Sequence, residues 1–488
     1  MSAYRRICVL LLLLLGGGVA WGQEASAPPA EGTPQTGQPQ PPAPAYGQDN
    51  PAPAISENPP ISGLDLPNLE PHAAPLSYLQ PGAHVSESVD SNIANTLGGS
   101  EANSITRAEG SLELQRLWSH YDLSLDYLGG VGNYNGRGGG IRQIQELGIY
   151  QKVNWKRGEL GVRDAFSYLP EGTFGSSYGS VSQNGAGLGG VGVFFGGSAL
   201  GSLGQVPRIL NLTLVDAVET LSPKSSITAT AGYGFAHYLQ NDPTNGEPLI
   251  NSSQTTGQLG YSRVLNAHDQ VAIIYGYQNF NFSTNETFHS NVIQLMWGHR
   301  ISGRMDFLAG VGPQFTEINE QETILGGLSL STHDLIISAV GRARLRYQFT
   351  RSSLYASYEH YLTSGAGFFA GAKTDLAHVE VNRPLSRVWN AFADIGYSHN
   401  SRVTPANCTE GSSSSCPGVD AQTYQTYFAG VGLQRHFGRS FHAFASYQFN
   451  QLVFDSSYCG TTTACNRISS RQVGTIGLDW TPRPIRLD

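Results

Sequence analysis

The sequence predicts an all-β fold: a closed antiparallel transmembrane β-barrel of about eighteen strands, with sixteen as the other count the pattern allows, behind a disordered Pro-rich N-terminal extension. Three observations carry this expectation. Over most of the chain, apolar or aromatic residues alternate with small or polar ones, the period of a strand whose two faces meet different surroundings. Tight turns and longer loops alternate between these strands. Charged residues make up 14% of the chain and aromatic residues 10%, whereas about a quarter of a typical soluble chain is charged.

The stretch Val218–Tyr238 shows the repeating unit. Ser222-Pro223-Lys224-Ser225 is turn chemistry. Beyond it Ile227, Ala229, Ala231, Tyr233 and Phe235 share one face and Thr228, Thr230, Gly232 and Gly234 the other. The pattern recurs at unequal intervals, as in Val271, Ile273, Tyr275 and Tyr277 after the turn at 265–268, or Leu354, Ala356 and Tyr358 after the turn at 349–352. A solenoid would need a nearly fixed period. Hairpins joined by short turns on one side and variable loops on the other fit better.

In chain order, residues 1–22 have the shape of a secretory signal: Arg5-Arg6, an apolar run from Ile7 to Leu15, then small residues ending at Ala20 and Gly22. Residues 23–82 are rich in Pro, Ala, Gln, Gly and Ser, densest at 39–46 (PQPPAPAY). They read as a disordered periplasmic linker, either an inert spacer or a reach toward the cell wall. The barrel is expected over 83–488, with strands at 83–93, 103–117, 121–134, 142–155, 159–169, 208–221, 226–240, 251–265, 269–282, 287–300, 304–318, 332–349, 353–363, 370–383, 387–399, 422–437, 440–453 and 467–480. Strands of about 9–11 residues cross an apolar layer of about 25–30 Å, and an open sheet edge cannot exist there.

Several function classes drop out on composition and context. A net charge of −8 argues against a nucleic-acid partner. Gly175-Ser176-Ser177-Tyr178-Gly179 matches GxSxG without the strand-to-helix elbow that exposes a nucleophile. Gly187–Gly192 matches GxGxxG without a helix to receive a phosphate. No enzyme, metal or cofactor is expected. Cys408, Cys416, Cys459 and Cys465 lie beyond the signal, in a chain directed to an oxidising compartment. Four cysteines allow three pairings, the simplest being Cys408–Cys416 with Cys459–Cys465; a metal site is disfavoured because neither spacing resembles CxxC.

The alternating strands, tight turns and long loop after the fifth strand resemble a bacterial outer-membrane β-barrel of the general porin kind, over about 83–488. Many such proteins end on an aromatic residue, whereas here Trp480 is followed by Thr481–Asp488. The resemblance implies an outer-membrane location, contact with outer-membrane lipid, and a homotrimer as a common assembly. It also implies that the loop at 170–208 folds inward as a constriction. That loop bears Glu171 and the apolar run Val193, Phe194 and Phe195. A surface flap is the competing reading.

Arg342, Arg344 and Arg346 alternate along one strand, so all three point to one side. Facing lipid, each would cost about 2–4 kcal/mol near the midplane, so the lumen is the expected side. Glu359, His378 and Glu380 belong to the same face, and Arg107, Glu109, Glu113, Asp122 and Asp126 form a second, more acidic patch. Such an arrangement gives either a transverse field on passing solutes or an ion-pair lattice that stiffens the wall. The expected function is a channel for small hydrophilic solutes. The alternatives are the outer-membrane part of a polysaccharide-export or secretion system, or a structural or adhesive surface barrel with a closed lumen.

Overall fold

The computed structural model describes residues 77–99, 101–136, 139–170, 206–241, 248–324, 328–349, 352–365, 367–404, 421–438, 440–459 and 466–487. The strands are β1 (Tyr78–Asp90), β2 (Asn103–Leu117), β3 (Tyr121–Tyr134), β4 (Gly140–Trp155), β5 (Gly158–Leu169), β6 (Arg208–Ser222), β7 (Ser225–Tyr238), β8 (Ser252–Val264) and β9 (Asp269–Phe282). They continue as β10 (Glu286–Ser302), β11 (Met305–Ile324), β12 (Leu328–Gln348), β13 (Ser353–Thr363), β14 (Ala372–Pro384), β15 (Trp389–Arg402), β16 (Thr423–Phe437), β17 (Phe441–Phe454), β18 (Ile468–Trp480) and the two-residue β19 (Ile485–Arg486). Each strand from β1 to β17 pairs antiparallel with the next, and β18 pairs with β1, closing the ring. Among the described residues no helix is long and apolar enough to cross a membrane.

The two faces separate as the alternation demands. On β7 Ile227 and Tyr233 are exposed while Thr228 and Thr230 are buried, and the same division runs through β8 to β10. The five tryptophans beyond residue 22 all lie outward near the short turns, 38–47% exposed, at Trp118, Trp155, Trp297, Trp389 and Trp480. A second outward set, Tyr233, Tyr275, Tyr277, Tyr358, Tyr427 and Tyr447, lies toward the long-loop ends. Amphipathic rings favour the membrane–water interfaces, so these are the two girdles of a lipid-facing wall. Arg435, which interrupts an apolar face, stacks over Trp389 at 5.3 Å and Phe437 at 4.7 Å near the short-turn rim, where its charge reaches water.

Inward aromatic rings are seated on glycines. Phe392 faces Gly432, and Phe428 faces Gly396. A Cβ at either glycine would come within 2.1 Å or 2.0 Å of the facing ring. This accounts for Phe392 breaking the polar face of its strand.

The joint between first and last strands is held by side chains far apart in sequence. Arg471 donates through Nε to Asp90 Oδ2 at 2.8 Å, and both side chains are almost fully buried. Ser88 and Thr475 hydroxyls bond at 2.9 Å, and His84 Nδ1 meets Asp479 Oδ1 at 3.0 Å. Below Trp480 the chain turns along β1: Gln80 donates to the Pro482 carbonyl at 3.1 Å, and Ile485 and Arg486 pair with Leu79 and Tyr78. Pro81 occupies the gap between the β18 and β19 ladders, where a missing N–H costs least. Strand β1 therefore starts at Tyr78 rather than 83.

Strands β11 and β12 differ from the expected 304–318 and 332–349. They run for 20 and 21 residues and pair up to Ile324 and Leu328. Pairing with β10 stops at Glu320, and pairing with β13 stops at Gly341, so the hairpin projects past both neighbours. The polar run 319–323 lacks the signature of a two-faced strand, yet two strands in water need only each other's backbone groups. Pro313 leaves two rungs of the β10–β11 ladder unmade, between Val292↔Gln314 and Leu295↔Val311.

Breaking a fully buried ion pair strands the remaining charge, at a cost of about 3–5 kcal/mol. Arg471→Leu is expected to lower the unfolding free energy of the purified barrel, measured by denaturant titration, by that amount, and Asp90→Leu added to it to recover most of the loss.

Candidate functional site

The inward face is fixed by register. Directly opposed residues of an antiparallel ladder share a face, and on β12 the outward positions are Leu335 and Ile337, both exposed. Arg342, Arg344 and Arg346 alternate with them and point inward. They stand opposite Glu359, Ser357 and Tyr355 of β13. One strand on, Ser357 and Tyr355 face His378 and Glu380 of β14, and Glu380 faces Asp394 of β15. All six basic and acidic residues expected on this wall are therefore brought together. Arg346 also donates through Nε to Asp306 Oδ1 at 3.0 Å.

The acidic wall forms on β2 and β3. Glu113 is opposite Asp126, and Arg107 and Glu109 lie on the same inward face, as does Asp122. Tyr78 donates its hydroxyl to Glu113, Arg107 donates to Ser88 Oγ at 2.7 Å, and Ser124 donates to Asp126 at 3.3 Å. Farther round, Lys152 pairs with Glu159, and Arg163 with the buried Asp216. In a ring of eighteen, β3 and β12 stand nine strands apart, which is half way round. The acidic patch therefore faces the arginine column across the lumen.

The outer mouth is crossed by the connection between β13 and β14. Thr363 to Ala372 runs Thr-Ser-Gly-Ala-Gly-Phe-Phe-Ala-Gly-Ala. Phe368 and Phe369 are buried, their rings 5.4 Å and 5.0 Å from Tyr424 of β16, and Phe368 lies 5.6 Å from Phe454 of β17. Arg402 stacks over Phe369 at 4.9 Å. The same segment reaches the other side of the ring: Ile250 donates to the Gly367 carbonyl at 2.9 Å, and a Cβ on Gly367 would lie 2.8 Å from the Tyr238 ring of β7. Strands β7 and β16 are again nine apart. One short strap thus touches opposite walls. Gly365, Gly367 and Gly371, with φ of 76°, 85° and 76°, supply the left-handed backbone that folds it inward.

Outside the strands, Asp455 ties the outer loops together. Burial pushes its carboxyl up, but hydrogen bonds from Ser457 and Thr423 outweigh that and hold it below the usual carboxylate range. Its Oδ2 accepts from the Thr423 amide at 2.6 Å. Cys459, in the 3-10 turn Ser456–Cys459 that follows, is disulfide-bonded. Cys408, Cys416 and Cys465 lie outside the described residues, as do Glu171, Val193, Phe194 and Phe195 of the expected constriction loop.

Sequence reasoning missed three features. The strap's Gly-Phe-Phe-Ala-Gly resembles the Gly-Val-Phe-Phe-Gly of the longer loop, so its local sequence does not set it apart. The buried pairs Arg163–Asp216 and Arg471–Asp90 show in sequence only as charges on strands. At the short-turn mouth, His436, His442, Asp479, His84 and Glu109 form one inward row across five strands, and no local motif announces it. Among the described residues no group of three or more His, Cys, Asp or Glu could hold a metal.

An outward apolar wall with two aromatic girdles, an inner face that carries the charged and most of the polar side chains, and full ring closure define an outer-membrane β-barrel of porin-like architecture. No family model matches the chain, and no curated protein is similar to it in sequence. Similar solved structures include Pseudomonas aeruginosa OccK2 (OpdF), 9% identical over 84% of this chain and 98% of that one at a TM-score of 0.39, and Pseudomonas aeruginosa OpdQ, 9% identical over 84% and 99% at 0.40. The ferric-catecholate import receptor Fiu of E. coli K12, in its open form, is 8% identical over 82% and 81%, with a TM-score of 0.39. Likeness at this level carries no argument about what passes through this barrel.

Truncating a buried Phe costs about 3–5 kcal/mol. Phe369→Ala is expected to release the strap, seen as at least about tenfold faster hydrogen exchange at the Ile250 amide, with amides in the middle of β14 unchanged.

Proposed function

We propose that the barrel is an outer-membrane channel for small hydrophilic solutes, and we assign it no catalytic role. The observation that carries this reading is the inward column Arg342, Arg344 and Arg346 facing the Glu109, Glu113, Asp122 and Asp126 patch from half a ring away. Charges of opposite sign across a narrow wet passage set up a transverse field that orients dipolar solutes and selects ions. Ring size favours the reading, since barrels of about 16–18 strands are wide enough to enclose an aqueous path.

In this account the strap at 364–371 sets the outer opening, and its burial gives it a defined resting place. The inward charges also make ion pairs, Arg346 with Asp306 among them, so the walls are stiff as well as charged.

Purified full-length protein in a planar bilayer tests the reading. Open channels are expected, and Arg342→Ser, Arg344→Ser and Arg346→Ser together should raise the cation-to-anion permeability ratio by a factor of about three or more. Silent bilayers would remove the channel reading, while an unchanged ratio would reduce the arginine column to scaffolding.

A further inference from the structure

Where the short turns meet lipid, two of the girdle tryptophans bond carboxylates. Trp155 donates to Glu219 Oε2 at 2.8 Å, and Trp297 to Asp269 Oδ1 at 3.1 Å. The sector from β14 to β18 is different. Glu380, Asp394 and Asp479 point inward there, and Asp375, which points outward beside His360, lies at the loop end of β14. On the outward face near the short turns these strands carry arginine without any carboxylate. Arg435 stands opposite the outward Trp389, and Arg383 opposite Ala391, the next outward position of β15. Both are exposed. Among the described residues neither has a hydrogen-bond or ion-pair partner, and Arg435 is held by its rings alone, Trp389 at 5.3 Å and Phe437 at 4.7 Å. Such contacts place the charge without using the guanidinium N–H donors.

The wall beside these arginines is low. Ala391 and Ala393 form a lane on β15, Ala443 and Ala445 a second on β17, and the exposed Leu433 and Val431 of β16 stand between them as a ridge. The β15 lane leads to Ile395, which with Val379 and Ala429 borders an outward depression of about 580 Å³. Forked donors at the headgroup level, above two apolar lanes that run into the hydrocarbon, match a phosphate carrying two acyl chains. The missing carboxylate decides the headgroup. An ammonium would stand beside two guanidinium groups with no counter-charge, whereas a headgroup whose only charge is its phosphate meets no such conflict.

We propose that the outward face of β14–β17 is a binding site for an anionic phospholipid of the periplasmic leaflet, its phosphate on Arg383 and Arg435 and its chains along the two alanine lanes. The site lies on the outside of the wall, so it is independent of the channel reading.

Native mass spectrometry of the full-length protein in detergent, titrated with phosphatidylglycerol or phosphatidylethanolamine of the same acyl chains, tests this. The parent is expected to bind one phosphatidylglycerol at least about tenfold more tightly than phosphatidylethanolamine, and Arg383→Ser with Arg435→Ser to abolish that preference. Arg116→Ser with Arg263→Ser removes the same charge from outward positions on β2 and β8 and is expected to leave it intact. Equal binding of the two lipids by the parent overturns the proposal. An equal loss in both double variants overturns it too, in favour of a diffuse basic collar. A parent that is oligomeric, with a monomeric Arg383→Ser, Arg435→Ser variant and no bound phosphatidylglycerol, assigns the face to a second copy and overturns it as well. If that variant does not insert, Ala391→Phe with Ala443→Phe fills both lanes and keeps the charges: loss of phosphatidylglycerol upholds the site, and unchanged binding overturns it.

Discussion

A sheet in hydrocarbon can leave no row of backbone N–H and C=O groups unpaired, since each such group costs several kcal/mol there. Everything else in this barrel depends on how that demand is met between β1 and β18. The seam carries its own side-chain clamps, from His84–Asp479 near the short turns to Arg471–Asp90 toward the loops. Its lower end is lengthened by β19, which adds rungs along β1 after β18 has stopped. Where lipid no longer surrounds the wall, the demand relaxes. That is why β11 and β12 can run on as a hairpin beyond both neighbours.

Once the ring is closed, a period of two fixes which residues meet water and which meet lipid. The outward set is apolar with aromatic rims, and the inward set divides into sectors: acidic on β2 and β3, basic on β12, neutral on β7 to β10. These sectors lie at different places around one ring, so a solute inside meets different chemistry in different directions. The strap adds a second constraint. By touching both β7 and β16, it makes the outer opening a property of eight residues rather than of the whole circumference.

Much of this was legible in the sequence because it follows from local alternation. Val218–Tyr238 declares its turn, its lipid face and its water face without reference to any other strand. The arginine column was legible for the same reason: three guanidinium groups on one face leave no lipid-facing alternative. Counting across the short turn placed Glu359 on the same face, near Arg342 or Arg344, and the register sets it opposite Arg342. What stayed hidden depends on contacts distant in sequence. Asp90 and Arg471 are 381 residues apart, and no spacing rule joins them. The strap competed with a similar double-Phe motif in a longer loop, and only its seating against Tyr238 and Tyr424 sets it apart. The full length of β11 and β12 was hidden because paired strands in water need no amphipathic pattern.

The account stands most directly on the claim that the two sides of β12 face different media. Arg344→Cys and Leu345→Cys, in otherwise cysteine-free protein reconstituted into liposomes, can be labelled with a membrane-impermeant thiol reagent. The account predicts rapid modification at 344 and protection at 345, where the side chain meets lipid. Modification at 345 with protection at 344 would contradict it.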